Sequence, residues 1–260
     1  MSKKLKAVEL FLTVGLVAGI AACSGTPTPD VEVNTLPDAA EVEGGEGGEG
    51  GEGGEGGEGG EGGEGGDYSA GEQANADFKD KLSSSELLSA LQEGGHVIYF
   101  RHAQTAKDYA DQADPNMSLD DCDTQRKLND VGEQQSKDIG AAFAEKGIPI
   151  GDVITSEYCR AWKTADLAFG KHTQNDKLNF LPFEDYTDEQ VEEMKANIMP
   201  FLTAAPAANE NTILVGHDDI FEAATGIYPD PQGIAYVLTP DGSGGFTLQA
   251  NVLAEEWSQL

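Results

Sequence analysis

The sequence has 260 residues, of which 47 are acidic and 16 basic, and its formal net charge is −31. A chain this acidic lacks the basic face that phosphate backbones require, which argues against nucleic acid as a partner. Residues 43–66 are eight consecutive Glu-Gly-Gly repeats, which cannot bury enough apolar surface to offset the entropy cost of folding. We therefore predict a disordered acidic linker over residues 23–70 and one folded domain over residues 71–260.

The N-terminus has the pattern of an export signal. Lysines at positions 3, 4 and 6 precede an apolar run over residues 10–22, which is short for a bilayer span. Ile20-Ala21-Ala22-Cys23 resembles the lipobox of bacterial lipoproteins. The resemblance implies a signal peptide over residues 1–22, lipidation of Cys23 and attachment to a membrane of the bacterial envelope, on its periplasmic side or at the cell surface. A signal peptide cut elsewhere and an uncleaved anchor remain as alternatives.

The apolar residues of the domain predict an alternation of helices and strands, which is typical of an α/β fold with a parallel sheet covered by helices. Glycines follow several of the helices, as expected at helix ends. In chain order we predict a helix at 84–92, a strand at 97–100, a helix at 130–147, a strand at 152–155, a helix at 158–169, a helix at 188–202 broken at Pro200, and strands at 212–216, 234–238 and 246–253.

Two buried strands end in histidines, the first in Arg101-His102 and the second in Gly216-His217. A third strand is followed by a helix with Arg160 in its first turn. Ligands bind at the carboxyl edge of open α/β sheets, and helix N-termini favour anions. Guanidinium groups match phosphate oxygens and spread the charge that develops on transfer. These two arginines and two histidines therefore predict a phosphoryl-binding site.

Three blocks of sequence carry a family resemblance: Arg101-His102-Ala103-Gln104-Thr105, Ser156-Glu157-Tyr158-Cys159-Arg160 with Thr164-Ala165, and Gly216-His217. They resemble the signature of the histidine phosphatase (phosphoglycerate mutase-like) superfamily. The resemblance implies a three-layer α/β/α sandwich with a mainly parallel central sheet, and a phosphohistidine intermediate formed without a metal or other cofactor. It also implies that His102 is the nucleophile and that Arg101, Arg160 and His217 hold the phosphoryl oxygens.

The sequence departs from the family pattern at two positions, and it leaves the proton donor open. Ala103 stands where glycine is commoner, and Glu157 stands where proline is usual. Asp218 directly follows His217, as an aspartate does in the acid phosphatase branch, and it is the first candidate for the donor. Glu184, Asp185, Asp108 and Asp123 are further candidates, and some small phosphatases of the family manage without a donor.

Other residues are interpreted from their positions. Gln104 and Thr105 lie beside the nucleophile and are candidates for substrate contacts. Cys122 and Cys159 either form a disulfide or stay as two buried thiols, and neither belongs to a metal-type cluster. Arg126 is expected to form an ion pair with a nearby carboxylate, with a place at the pocket mouth as the alternative.

The sequence thus predicts an exported, lipid-anchored phosphatase that acts on a small phosphorylated substrate. Two other functions remain as alternatives: phosphoryl transfer of the phosphoglycerate mutase type, and a non-catalytic phosphate-binding or cell-surface interaction lipoprotein.

Overall fold

The computed structural model describes residues 68–106, 111, 114–183 and 185–260. The predicted signal peptide, Cys23 and the Glu-Gly-Gly repeats lie outside these residues. Within the described ranges, no helix combines the length and the apolar character needed to cross a bilayer.

Six strands form one mixed sheet with helices on both faces, which confirms the predicted α/β fold. The strands are β1 Val97–Arg101, β2 Ile150–Thr155, β3 Thr173–Gln174, β4 Asn211–Gly216, β5 Ala235–Pro240 and β6 Phe246–Val252. They are arranged in the order β3-β2-β4-β1-β5-β6. The first four in this order pair in parallel, and the β1–β5 and β5–β6 pairs are antiparallel.

Helices account for most of the remaining regular structure. They are α1 Ala70–Ala76, α2 Ser84–Glu93, α3 Asp130–Lys146, α4 Cys159–Phe169, α5 Asp188–Thr203 and α6 Asp218–Thr225. Strand β1 is buried along its whole length, and its side chains alternate between the two faces of the sheet. Ile98 and Phe100 belong to the core that α3 and α4 cover, whereas Val97 and Tyr99 belong to the core under α5 and α6.

The structure corrects several sequence-based boundaries. Helix α3 begins at Asp130, as predicted, and ends at Lys146, and its N-cap is Asn129, whose side chain accepts the Gly132 N–H at 2.8 Å. Helix α5 continues through Pro200 to Thr203, so the predicted break was wrong. Buried Ile198 and Leu202 hold its last turn in the core, and this packing outweighs the single backbone hydrogen bond that proline removes. Helices α1 and α6 were not predicted.

The register of the central strands brings the two predicted active-site motifs to one edge. Strands β1 and β4 are direct neighbours, and Arg101 is paired with Gly216. A side chain at position 216 would place its Cβ 2.4 Å from the Tyr99 hydroxyl oxygen, so only glycine fits there. That hydroxyl donates to the His217 carbonyl oxygen at 2.6 Å and holds the backbone where the chain leaves β4.

Candidate active site

The carboxyl edge of the sheet brings together the four residues predicted to form the site. Arg101, His102, Arg160 and His217 are all at least 98% buried. The imidazole centroids of His102 and His217 lie 5.5 Å apart. Nε2 of His217 is 2.7 Å from the Ser156 hydroxyl oxygen, and its Nδ1 has no hydrogen-bond partner among the described residues. These four side chains therefore form one buried cluster at the sheet edge, in which backbone and hydroxyl groups hold the histidines.

His102 is held with one imidazole nitrogen directed away from the backbone. Its Nδ1 lies 2.8 Å from the Ala103 carbonyl oxygen, which can only accept, so Nδ1 carries the proton and Nε2 presents a lone pair. The main chain of His102 is fixed on both sides, since its N–H donates to Gly216 and its carbonyl accepts from Gly233, each at 3.0 Å. Burial, and then the charges of Arg160 and Arg101, lower its pKa well below the usual value. The ring is therefore neutral near neutral pH, a state in which an imidazole can act as a nucleophile.

Arg126 is also a member of this cluster, a place that the sequence had offered only as the alternative to an ion pair. Its Nη2 lies 3.3 Å from Nε2 of His102, and 92% of the residue is buried. A guanidinium has no acceptor, so it donates to the nitrogen that would attack phosphorus. The sequence feature that could have indicated this role is the small number of arginines, since Arg126 is one of only three in a very acidic chain.

Asp111 is the second residue of the site that the sequence did not reveal. It is 1% exposed, and its two carboxylate oxygens lie 2.8 and 3.1 Å from Nη1 of Arg160. The backbone N–H of Arg126 also donates to it, at 2.8 Å. A carboxylate thus binds Arg160, the arginine that the family resemblance assigns to a phosphoryl oxygen. An incoming phosphate group would compete with this carboxylate for Arg160.

Arg101 is held by acceptors on the residues that follow β4 and α6. Its Nη2 lies 2.5 Å from Asp218 Oδ2, and its Nη1 lies 2.9 Å from Asp230 Oδ1 and 3.0 Å from the Pro229 carbonyl oxygen. The Tyr228 hydroxyl donates to the same oxygen of Asp218 at 2.7 Å. These contacts orient Arg101 through both of its terminal nitrogens.

The environment of Asp218 bears on its predicted role as proton donor. Burial acts to raise its pKa, but the charge of Arg101 and the hydrogen bond from Tyr228 outweigh burial, and the pKa is lowered. Asp218 is therefore ionised at neutral pH, whereas a general acid must hold a proton. The ion pair weighs against the assignment, which stays a prediction.

The remaining carboxylates near the pocket differ in their suitability as donors. Burial, followed by the charges of Asp218 and Glu222, raises the pKa of Asp219 to about 7, and the sequence reasoning had not singled this residue out. Asp185 and Asp123 are both exposed, and Asp123 pairs with Lys127. The candidates Glu184 and Asp108 lie outside the described residues.

Gln104 and Thr105 lie on the loop that follows His102, as expected, but their contacts are internal. Both the N–H and the hydroxyl of Thr105 donate to Oε1 of Gln232, at 2.8 and 3.2 Å. The Gln104 side chain accepts from Asn129 at 3.1 Å. Together with Gln135, they line a cavity of about 290 Å³ that offers mainly amide groups. Contact of Gln104 and Thr105 with substrate stays a prediction.

The two cysteines of the domain are joined in the structure as a disulfide between Cys122 and Cys159. Cys122 lies on the loop that carries Arg126, and Cys159 directly precedes Arg160. Glu157, which replaces the usual proline, accepts from the Asn179 side chain at 2.8 Å and returns a backbone N–H to the same residue. The residues on both sides of Tyr158 are thus anchored to neighbouring loops.

Comparisons with solved structures find similarity at low sequence identity. No curated protein sequence matches the chain. Among solved structures, the protein histidine phosphatase SixA complexed with tungstate is 15% identical, with a TM-score of 0.46 over 62% of this chain and 98% of the other. A phosphoserine phosphatase mutant from Entamoeba histolytica is 12% identical, with a TM-score of 0.44 over 62% and 98%. A putative SixA from Agrobacterium tumefaciens is 19% identical, with a TM-score of 0.38 over 61% and 97%.

The sequence comparison with protein families is more specific. The sequence model of the histidine phosphatase superfamily (branch 1) matches residues 97–198, a range that contains Arg101, His102, Arg126 and Arg160. His217 follows this range in the chain and joins it at the sheet edge. Over this range, the chain is similar in sequence to the histidine phosphatase superfamily.

Proposed function

We propose that this protein is a phosphatase that hydrolyses a phosphomonoester through a phosphohistidine intermediate on His102. The observation that carries the proposal is the state of His102: a neutral imidazole with its proton on Nδ1, its Nε2 lone pair directed into a cluster of three arginines. Such a group is a competent nucleophile, and the surrounding guanidinium groups suit a phosphoryl group. The similarity of residues 97–198 to the histidine phosphatase superfamily supports the same chemistry.

The proposed reaction has two steps. In the first, Nε2 of His102 forms a bond to phosphorus while the bond from phosphorus to the ester oxygen breaks, and the alcohol leaves after taking up a proton. In the second, water attacks the phosphohistidine, the N–P bond breaks, and inorganic phosphate is released with His102 restored. Arg101, Arg126 and Arg160 stabilise the charge on the phosphoryl oxygens, while His217 contributes a hydrogen bond.

Hydrolysis of a generic aryl phosphate tests this proposal. We expect His102→Ala to lower kcat/KM by at least about 10⁴-fold, because the covalent route is lost. The matched control is His172→Ala, which removes a histidine outside the site that pairs with Asp166. Equal rates for the wild type and His102→Ala, or no hydrolysis by either across a broad panel of phosphomonoesters, would contradict the proposal and favour a phosphate-binding role.

We also propose, from the sequence of residues 1–23 alone, that the protein is exported and lipidated on Cys23. The basic start, the short apolar run and the lipobox-like residues 20–23 support this. Several acyl chains, each contributing about 0.8 kcal/mol per buried methylene, would hold the domain at a membrane surface. Mass spectrometry of membrane-extracted protein should find acylated Cys23 as the first residue, and an unmodified longer N-terminus would contradict it. Cys23→Ser is the control.

A further inference from the structure

The connection between β1 and α3 delivers Arg126 to His102, yet it contains little regular structure. Among its described residues, regular structure is limited to two isolated bridges, one short 3-10 helix at Cys122–Thr124 and the 3-10 conformation of Asp111. An arginine side chain on such a loop has many rotamers, and ordering it costs free energy. Something other than secondary structure must therefore hold Arg126 at the nucleophile.

Besides the Asp111–Arg160 ion pair, two ties join this loop to the N-terminus of α4. The first is the disulfide, which links Cys122, four residues before Arg126, to Cys159. The second is a hydrogen bond at 2.8 Å from the Cys159 N–H to Oε1 of Gln125, whose other amide atom donates to the Ser118 carbonyl at 2.8 Å. Gln125 is 97% buried, so this bond is shielded from water.

Both ties end next to the arginines of the site. Gln125 directly precedes Arg126, and Cys159 directly precedes Arg160. Arg160 lies in a helix and keeps its backbone position without the loop, whereas Arg126 depends on the loop for its position. Breaking the ties should therefore act on Arg126 much more than on Arg160.

We propose that the Cys122–Cys159 disulfide, together with Gln125, is a positioning device that holds the Arg126 guanidinium over Nε2 of His102. The catalytic role of this device rests on the proposed function. Its direct effect is on the affinity of the site for an oxyanion, which can be measured without turnover. A dithiol reductant would break the S–S bond by supplying two electrons and two protons, giving two thiols while the dithiol becomes a disulfide.

The experiment is a double-mutant cycle on the full chain, with tungstate binding measured by calorimetry. Cys122→Ser combined with Cys159→Ser should weaken tungstate binding about 10-fold in the presence of Arg126, a loss typical of releasing one long side chain. In an Arg126→Met background the same pair of substitutions should change the affinity by less than about 2-fold, because the residue it positions is gone. Dithiothreitol should reproduce the loss in the wild type and leave the serine variant unchanged.

An equal loss of affinity in both backgrounds, or no loss in either, would overturn the proposal, because the disulfide would then act on the whole domain or not at all. If the serine variant fails to fold by circular dichroism, Gln125→Leu breaks the second tie with the disulfide intact and enters the same cycle, with a several-fold loss expected. A wild type that binds tungstate and follows the cycle but hydrolyses no phosphomonoester would refute the proposed function alone. Turnover with no coupling between the disulfide and Arg126 would refute this inference alone.

Discussion

The site is built from two regions that are held in different ways. Arg101, His102 and His217 stand at the ends of adjacent parallel strands, and their main chains belong to, or directly continue, the hydrogen-bonded ladder of the sheet. Asp111 and Arg126 belong to the connection between β1 and α3. The disulfide, one buried side-chain hydrogen bond and the Asp111–Arg160 ion pair tie this connection to α4. The nucleophile is thus positioned by the core of the fold, whereas part of the charge around it is supplied by a loop.

In both regions, the charges of the buried arginines are compensated by carboxylates. In the sheet region, Arg101 is bound by Asp218 and Asp230, and in the loop region Asp111 binds Arg160. Buried charges of opposite sign compensate each other, so the arginines are held in place before any phosphate arrives. A dianionic substrate must compete with Asp111, and the loop therefore has a direct influence on affinity.

Matched substitutions of one arginine from each region test the comparison most strongly. We expect Arg101→Lys to lower kcat/KM for an aryl phosphate by about 10²-fold or more, because a lysine cannot replace both terminal nitrogens that bind Asp218, Asp230 and Pro229. Arg126→Lys should cost only about 10-fold, because a positive charge beside His102 is kept. Steady-state kinetics of both variants checks this, and a larger effect at position 126 would reverse the comparison.

Removing the loop carboxylate gives the next largest expected effect. Asp111→Asn leaves the buried charge of Arg160 uncompensated, so the free energy of unfolding should fall by about 3 kcal/mol. Added inorganic phosphate should stabilise this variant more than the wild type, because the anion can take the position of the carboxylate on Arg160. Denaturant unfolding with and without phosphate measures both effects. Asp166→Asn, which breaks the partly exposed pair with His172, is the control. Equal stabilisation by phosphate would contradict competition at Arg160.

The roles of the neighbouring carboxylates Asp218 and Asp219 can be distinguished by comparing how their substitution affects esters with good and poor leaving groups. Because Asp218 is ionised and bound to Arg101, we expect Asp218→Asn to lower kcat about 10-fold for activated and unactivated esters alike. A much larger loss for poor leaving groups would instead identify Asp218 as the proton donor. Asp219→Asn, whose carboxyl has its pKa raised to about 7, is the matched variant.

The smallest expected effect is that of mildly acidic pH on turnover. Burial and the charge of Arg160 lower the pKa of both His102 and His217 well below the ordinary value. We therefore expect that kcat/KM does not fall as the pH drops through about 6.5, the pKa of an ordinary histidine. A fall in that range would mean that His102 becomes protonated there and would contradict the prediction.

Stability should have its own pH dependence. The unfolded chain binds protons on these histidines below about pH 6.5 and the folded chain does not, so they make the free energy of unfolding decrease as the pH falls through that range. Asp219 acts in the opposite direction, because its raised pKa lets the folded state bind the extra proton between about pH 4 and 7. Unfolding of Asp219→Asn as a function of pH should expose the contribution of the histidines.

Much of the fold could be predicted because its strands and long helices have strong local patterns. The apolar run of β1 and the helix over 84–93 were found within a residue or two of their observed ends. Helix α6 was missed because it is short and begins directly after His217, and the end of α5 was misjudged because core packing outweighed the preference of Pro200. The helix propensity of a short segment does not predict its structure where tertiary contacts are stronger than that propensity.

For the site, the sequence by itself determined the residues that follow strand ends: Arg101, His102 and His217, with Arg160 at a helix start. Strand patterns place such residues at one edge, whatever the loops do. Only the tertiary structure brought in Arg126 and Asp111, 15 residues apart on a loop without periodicity, and joined Cys122 to Cys159 across a separation of 37 residues. The physical reason is that a loop's position depends on the distant groups that bind it, and no local pattern records those partners.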